Sequence, residues 1–247
     1  MSVIVEQNSN SQIRKYALSK AGRDRLQNEF IAYKQLADNP HIPALINHTF
    51  SNDQSELIIE YVDGESLQKW LTCDNDYRVS PKTWAQANVN LKRFVDAEMS
   101  LLNAGVLYRD LNLDHVIFRS SKAYFIDLEA SVFKSDATNT YPFNDTRGTW
   151  ETMAPEEFRG AGDLSERTAT YRVAAISHMV LYGQLPFDHD ATSRSTSNRL
   201  RHRPLRLNHR LSGRERKLFS AALSLEPARR HTNPNSFFNS LQEIMQQ

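Results

Sequence analysis

The chain has almost no cysteine: Cys73 stands alone among 247 residues. A single thiol cannot form an internal disulfide, and this usage fits a reducing compartment, so we expect a cytoplasmic protein. No apolar run approaches the roughly 20 residues that a helix needs to cross a bilayer. The N-terminus lacks a basic region followed by an apolar one, which argues against a signal peptide.

Net charge is also nearly absent, because 30 Lys and Arg residues face 29 Asp and Glu residues. This balance argues against a general attraction to nucleic acid or to a membrane surface. The exception is the segment 194–217, which holds eight Arg and one Lys, with Glu215 as its only acid. We interpret it either as a solvated surface or as a docking patch for an anionic partner.

Glycine is missing from the beginning of the chain, where none precedes Gly22. Turns rich in glycine let backbone amides approach phosphate groups closely. The N-terminal segment therefore offers no turn of that kind. Apolar residues are plentiful by contrast, at 40% of the chain, which is enough to form a sizeable core in one or two lobes.

The most informative stretch is 108–115, together with 125–129. It contains Asp110 after Arg109, then His115 five residues later, and Asp127 at the end of a short apolar strand. Phosphoryl transfer needs such a set: a carboxylate that orients or deprotonates the acceptor hydroxyl, and ligands that hold magnesium against the phosphates. The pattern predicts a phosphotransferase site.

These residues resemble the catalytic loop and the metal-binding motif of the protein-kinase superfamily, His-Arg-Asp…Asn and then Asp-Phe-Gly. Further family motifs follow in the same order, and the match covers residues 3–245. They are the hinge (60–67), the end of the activation segment (148–156), the end of the central helix (181–187) and the late Arg motif (225–232).

The resemblance implies an α+β fold of two lobes in one domain, residues 1–247. A reduced β lobe would span about 1–60, the hinge about 60–65 and a mainly helical lobe about 66–247. The first strand of the family and its Gly-rich loop would be missing. ATP and Mg²⁺ are the implied cofactors, in the cleft between the lobes.

Periodicity predicts a strand over 12–19 and helices over 24–37, 81–104, 170–183 and 234–245.

The catalytic residues implied by the resemblance are Asp110, Arg109 and Asn112. Asp110 would serve as the base, and Arg109 would hold the activation segment through a phosphate or a carboxylate. Asn112 replaces a Lys of the family, so positive charge near the transferred phosphoryl group is lost. Candidate phosphate carriers are Ser135, Thr138, Thr140 and Thr146.

The implied metal ligands are His115 and Asp127. His115 stands where the family has Asn, and magnesium prefers oxygen ligands. The stretch around His115 and Ile126–Glu129 is similar to the lipopolysaccharide-core sugar kinases of Gram-negative bacteria. The alternative is a His that bonds to backbone in a degenerate loop.

The implied nucleotide-binding residues lie in the N-terminal lobe and the hinge. Tyr16–Ser19 resembles the family's Ala-x-Lys strand, with Ser19 in the Lys position and Lys20 one residue later. A one-residue offset turns a side chain to the other face of a strand unless a bulge intervenes. The predicted set is Lys20 with Glu29, Ala17, Glu60 and Val62; otherwise Lys20 and Glu29 are solvated surface charges.

Two structural positions also follow from the resemblance. Arg230 is expected to pair with Glu156 inside the large lobe. Ala169 stands where the family has an Asp that anchors the catalytic loop, so this anchor is expected to be missing, and Tyr108 replaces the loop His.

Three functions are compatible with these features. The first is an atypical protein kinase that transfers the γ-phosphate of ATP to a Ser/Thr hydroxyl of a protein substrate. The second is a pseudokinase that acts as a binding or scaffolding module, which the absent glycines and the displaced Lys favour. The third is a sugar kinase of the lipopolysaccharide core, which His115 favours.

Overall fold

The computed structural model describes residues 3–7, 11–72, 79–187 and 205–247. The N-terminal lobe is a four-stranded antiparallel sheet with the order β1-β2-β4-β3. Its strands are β1 (Ile4–Gln7), β2 (Gln12–Ala17), β3 (Leu45–Phe50) and β4 (Ser55–Glu60). Strand β4 leads directly into residues 61–64, which connect to the second lobe.

Helix α1 (Lys20–Gln35) packs against this sheet, with Leu26 buried against Ala17 and Leu57. The helix starts four residues before the predicted Asp24, because Ser19 caps it: the Ser19 hydroxyl accepts a hydrogen bond from the Gly22 N–H at 3.2 Å. The predicted strand over 12–19 is therefore too long, and Lys20 lies in the first turn of a helix.

The second lobe opens with β5 (Glu65–Ser66), α2 (Leu67–Leu71) and the long helix α3 (Trp84–Asn103). The predicted start of α3 at Pro81 is wrong, since the first helical residue is Trp84. The side chain of Gln86 accepts the Thr83 N–H at 2.9 Å, which satisfies one of the donors that a helix start leaves unpaired. Gly105, with φ +75°, follows the last turn as predicted.

Short strands after α3 carry the loops that face the cleft. They are β6 (Val106–Leu107), β7 (Val116–Arg119), β8 (Lys122–Phe125), β9 (Val132–Phe133), β10 (Tyr141–Phe143) and β11 (Gly162–Leu164). Strands β7 and β8 form a hairpin before Asp127, and β6 pairs with β9. The loop 108–115 and the segment after β8 are thereby brought side by side.

Helix α4 (Glu166–Tyr182) runs through the centre of the second lobe, and every residue from Thr168 to Leu181 is buried. Helices α5 (Gly213–Ala222) and α6 (Pro234–Met245) pack beside it, and α6 has the predicted bounds. One hydrophobic core joins both lobes, because Tyr33 of α1 and Leu36, the residue after this helix, belong to the same buried cluster as the helices of the second lobe.

Within the described residues, no helix combines the length and hydrophobicity that crossing a membrane requires. The Arg-rich segment 194–217 is covered only from residue 205 onward. Arg194, Arg199, Arg201 and Arg203 lie outside the described residues, so the anionic partner stays a prediction.

Candidate active site

Asp110 occupies the loop between β6 and β7, with its side chain about one-fifth exposed to the cleft. Its Oδ1 accepts a hydrogen bond from the Thr149 hydroxyl at 2.6 Å, and its Oδ2 lies 3.4 Å from Nδ1 of His115. Burial alone would raise the pKa of this carboxyl, but the hydrogen bonds from His115 and Thr149 outweigh burial and lower the pKa. Asp110 is therefore a carboxylate at neutral pH.

Gly148 makes the contact between Thr149 and Asp110 possible. Its φ is +123°, and a Cβ at this position would lie 2.6 Å from the carbonyl oxygen of Arg109. Only glycine tolerates both the positive φ and the close approach. The end of the activation segment thus packs directly on the catalytic loop.

Asp110, His115 and Asp127 form a cluster in which one ligand atom from each lies within 4.8 Å of the others. Nε2 of His115 is 4.0 Å from Oδ2 of Asp127. Two carboxylates and an imidazole are a donor set that holds divalent cations, so these residues fit a metal ion. The carboxylates of Asp110 and Asp127 also raise the pKa of His115, against the effect of its burial.

The lysine at the site is Lys15, and the predicted pairing of Lys20 with Glu29 is wrong. Nζ of Lys15 lies 2.8 Å from Oε1 of Glu29 and 3.1 Å from Oδ1 of Asp127. Lys20 is exposed at the start of α1. Burial of Lys15 opposes its charge, but the two carboxylates outweigh burial and raise the pKa of the ammonium group. Lys15 thereby links the sheet, helix α1 and the metal-binding segment.

The prediction that Ala17 belongs to the nucleotide-binding set is wrong, because Ala17 does not line the cleft. It is buried with Leu26 and Leu57 in a separate small core beneath α1. Since side chains at alternate positions of a strand share a face, Ala17 follows Lys15 toward α1. The predicted assignment placed the whole strand motif several residues too late.

Glu60 and Val62 lie at the connection between the lobes. The side chain of Glu60 pairs with Arg119 at 2.8 Å and accepts the Ala44 N–H at 3.2 Å. Val62 is buried. A cavity of about 600 Å³ lies beside Glu60, and its lining does not include Lys15, Asp110 or Asp127. This cavity is therefore separate from the charged cluster.

Arg109 is completely buried and holds the activation segment through carboxylates. Its guanidinium lies 2.7 Å from Oδ1 of Asp145 and 3.2 Å from Oε1 of Glu157, and it stacks on the ring of Phe143. Arg147 also pairs with Asp145 at 2.7 Å. Of the two predicted forms of contact, the described structure contains the one with a carboxylate.

The side chain of Asn112 has a structural contact in the loop. Its Oδ1 accepts the Asp114 N–H at 3.1 Å and caps the 3-10 turn Leu113–His115. That turn brings the His115 ring toward Asp110. A catalytic role of Asn112 stays a prediction.

Arg172 anchors the catalytic loop, although Ala169 stands at the position of the family's anchor. Arg172 projects from α4, donates a hydrogen bond to the carbonyl of Tyr108, and pairs with the buried Glu157. The Tyr108 hydroxyl in turn donates to the carbonyl of Ile126 at 2.9 Å. The expectation of a missing anchor is thus corrected.

Sequence reasoning missed Arg172, Glu157 and the nearby Glu98. An Arg beside the apolar run that follows it in α4 was an available signal, because a buried charge needs a partner. Glu98 of α3 is fully buried, and burial raises its pKa to about 7 despite the attraction of Arg172. Its Oε2 has no hydrogen-bond partner within the described part of the chain.

Glu156 and Arg230 make the predicted contact. Two nitrogens of the Arg230 guanidinium donate to the two oxygens of Glu156, at 2.7 and 2.8 Å. Thr168 also donates to Glu156 at 2.8 Å. Burial would raise the pKa of Glu156, but the hydrogen bonds and charge of Arg230 lower it. The pair fastens the segment after β10 to the C-terminal part of the lobe.

Comparison with known proteins agrees with this fold. Residues 6–247 match the family model described as Protein kinase domain, so the chain belongs to the protein kinase family. The predicted superfamily and bilobal α+β fold are confirmed. Members of this family generally use ATP and Mg²⁺.

In the matched segments, individual relatives are identical to this chain at about a quarter of the aligned positions. Serine/threonine-protein kinase pkn3 of Myxococcus xanthus is 28% identical over 239 residues, covering 89% of this chain and 42% of that protein. Serine/threonine-protein kinase ULK3 of Mus musculus is 26% identical over 222 residues, covering 88% of this chain and 45% of that protein. The chain thus spans less than half the length of these relatives.

A solved structure has the same fold. The Cydia pomonella granulovirus kinase PK-1 superposes with a TM-score of 0.73 at 17% identity, covering 96% of this chain and 92% of that one. At this identity the likeness shows the fold alone.

Proposed function

We propose that the protein transfers the γ-phosphate of ATP to a Ser or Thr hydroxyl of a protein substrate. The observation that carries this proposal is the position of Lys15 between Glu29 and Asp127, beside an ionised Asp110. A displaced lysine was one of the sequence arguments for a pseudokinase, together with the missing Gly-rich loop and the absent anchor. The similarity to serine/threonine-protein kinases supports the choice of acceptor.

In this proposal the oxygen of the acceptor hydroxyl forms a bond to the γ-phosphorus, while Asp110 accepts the proton of that hydroxyl. The bond between the γ-phosphorus and the bridging oxygen breaks, and ADP leaves. Thr149 fixes the orientation of Asp110 through its hydrogen bond. Lys15 supplies positive charge toward the phosphates, and Glu29 holds Lys15 in place. His115 and Asp127 would hold the divalent cation, which neutralises charge on the phosphates when bound.

The test is phosphate transfer from labelled ATP with the Asp110→Asn variant, using the protein itself and a generic basic protein as acceptors. We expect transfer to fall by about 10²–10⁴-fold while the melting temperature stays near that of the wild type. Asp114→Asn is the matched control, since Asp114 is an exposed carboxylate on the same loop. Undiminished transfer in Asp110→Asn would remove this residue from the mechanism.

The other functions predict different results in the same experiment. A pseudokinase would show neither transfer nor a nucleotide-dependent rise in melting temperature in the wild type. A sugar kinase would label lipopolysaccharide acceptors and no protein.

A further inference from the structure

We propose that the cation site formed by His115 and Asp127 selects a divalent transition metal such as Mn²⁺ over Mg²⁺. This inference rests on the proposed function, because the same site would hold the cation that accompanies ATP. It concerns a position, His115, at which this chain departs from the family's Asn. Three features of the geometry support it.

The first feature is the orientation of the His115 ring. Nδ1 lies 3.3 Å from the backbone carbonyl of Asp110 and 3.4 Å from its Oδ2. Both neighbours are hydrogen-bond acceptors, so Nδ1 carries the proton in a neutral ring and Nε2 keeps its lone pair. Imidazoles that bind metals commonly donate their other N–H to a carbonyl or a carboxylate in this way.

The second feature is the gap between Nε2 of His115 and Oδ2 of Asp127, which measures 4.0 Å. This separation is too long for a hydrogen bond. Two ligand atoms that each lie about 2.1 Å from one metal ion can be at most about 4.2 Å apart. The two atoms therefore stand at a distance that a single cation can bridge.

The third feature is that the two carboxylate oxygens of Asp127 have different neighbours. Oδ1 accepts a hydrogen bond from Lys15 at 3.1 Å, which leaves Oδ2 directed at His115. Lys15 is buried and held by Glu29, so the Asp127 side chain is oriented by groups on two other elements. Asp127 is thus oriented toward His115 before a cation arrives.

The chemistry of this pair discriminates between cations. Mg²⁺ binds oxygen almost exclusively and gives up its water reluctantly, so replacing an amide oxygen by an imidazole nitrogen weakens its site. Divalent transition metals accept nitrogen readily, and Mn²⁺ also keeps the six-coordinate oxygen geometry that phosphates require. A His in place of Asn therefore shifts the preference of the site toward Mn²⁺.

The experiment measures binding of Mn²⁺ and Mg²⁺ to the full chain by calorimetry, with a non-hydrolysable ATP analogue and in mildly alkaline buffer. Pulsed electron paramagnetic resonance of bound Mn²⁺ supplies a second readout, because a coordinated imidazole gives a ¹⁴N modulation. The test variant is His115→Asn, which restores an amide oxygen. His209→Asn is the control, since His209 is exposed in the same lobe.

For the wild type and the control we expect Mn²⁺ to bind at least about tenfold more tightly than Mg²⁺, together with the ¹⁴N modulation. His115→Asn should lose the modulation and bring the two affinities together. Mg²⁺ with nucleotide binding as tightly as Mn²⁺, or a modulation that survives in His115→Asn, overturns the inference and leaves the proposed function standing. Failure of both cations to bind with nucleotide overturns both.

Discussion

At the scale of single residues, the alternation of side chains between the two faces of strand β2 decides which lysine reaches the site. Lys15 and Ala17 point from β2 toward helix α1, and Lys15 ends between Glu29 and Asp127. Lys20 is already helical, because Ser19 ends the extended segment as an N-cap. Sequence reasoning correctly doubted Lys20 on grounds of strand alternation, but it sought the strand lysine too late in the chain.

We therefore expect Lys15→Met to abolish the rise in melting temperature caused by nucleotide with a divalent cation, corresponding to at least a tenfold loss of affinity, or about 1.4 kcal/mol. The physical reason is the loss of positive charge toward the phosphates and of the contact that orients Asp127. Lys20→Met is the control and should behave like the wild type. The reverse ranking of the two variants would restore Lys20 as the site residue.

The second prediction at the scale of single residues concerns the pH dependence of stability, which follows from the buried side chain of Glu98. Its pKa in the folded protein is about 7, raised from 4.5 by burial, so between these values the folded state binds more protons than the unfolded state. Stability should therefore fall as pH rises through this window, by about 3 kcal/mol from this group, and the loss should be complete above about pH 7.

The variant Glu98→Gln stays neutral at every pH and should remove this decline, which thermal unfolding measured across the window would detect. Asp96→Asn is the matched control, because Asp96 is an exposed carboxylate on the same helix. A decline that persists in Glu98→Gln would assign it to another group.

At the scale of elements, the activation segment is held by acids that belong to the chain itself. Asp145 lies against Arg109 and Arg147, and Arg147 donates to the carbonyl of Glu129 at 2.9 Å. A carboxylate thus occupies the position where a phosphate could otherwise bind the buried Arg109. Order in this segment is expected without phosphorylation of Ser135, Thr138, Thr140 or Thr146.

We expect Asp145→Ala to destabilise the segment 141–147 by about 1–3 kcal/mol, because a buried guanidinium loses one of its charged partners. Amide hydrogen exchange of this segment should accelerate, whereas Asp136→Ala, at an exposed acid shortly before residue 141, should leave that exchange unchanged. Phosphatase treatment of the wild type should also have no effect. Faster exchange after phosphatase treatment would show that a phosphate contributes to the order.

At the scale of the whole molecule, long-range pairs join parts of the chain that are distant in sequence. Glu156 and Arg230 are 74 positions apart and form a bidentate, buried contact. We expect Glu156→Ala or Arg230→Ala to lower the free energy of unfolding by about 2–4 kcal/mol, since each leaves one buried charge without its partner.

A double-mutant cycle should show that the two losses are not additive, as expected for residues in direct contact. Arg229→Ala is the control, because the Arg229 side chain is 70% exposed and its ion pair within the described part of the chain is with the exposed Glu226. Its effect should stay within about 0.5 kcal/mol. Equal stability of Glu156→Ala and the wild type would mean that the pair contributes nothing to folding.

The order of motifs along the chain was sufficient to predict the family, the two lobes and the Glu156–Arg230 pair. It also singled out Asp110 and Asp127, whose catalytic and metal-binding roles stay predictions. Local signals were also sufficient for α6, where Asn233 and Pro234 mark the start, and for the end of α3 at Gly105. These features depend on neighbours in sequence or on a pattern that tolerates small errors of register.

Only the tertiary structure decided the choice of Lys15, the anchoring role of Arg172 and the carboxylate that meets Arg109. Each depends on which side chains from separate elements share a buried space, and a buried charge takes whichever partner the packing brings near. The same holds for His115: its sequence position predicts a metal ligand, but only the fold aims its Nε2 at Oδ2 of Asp127.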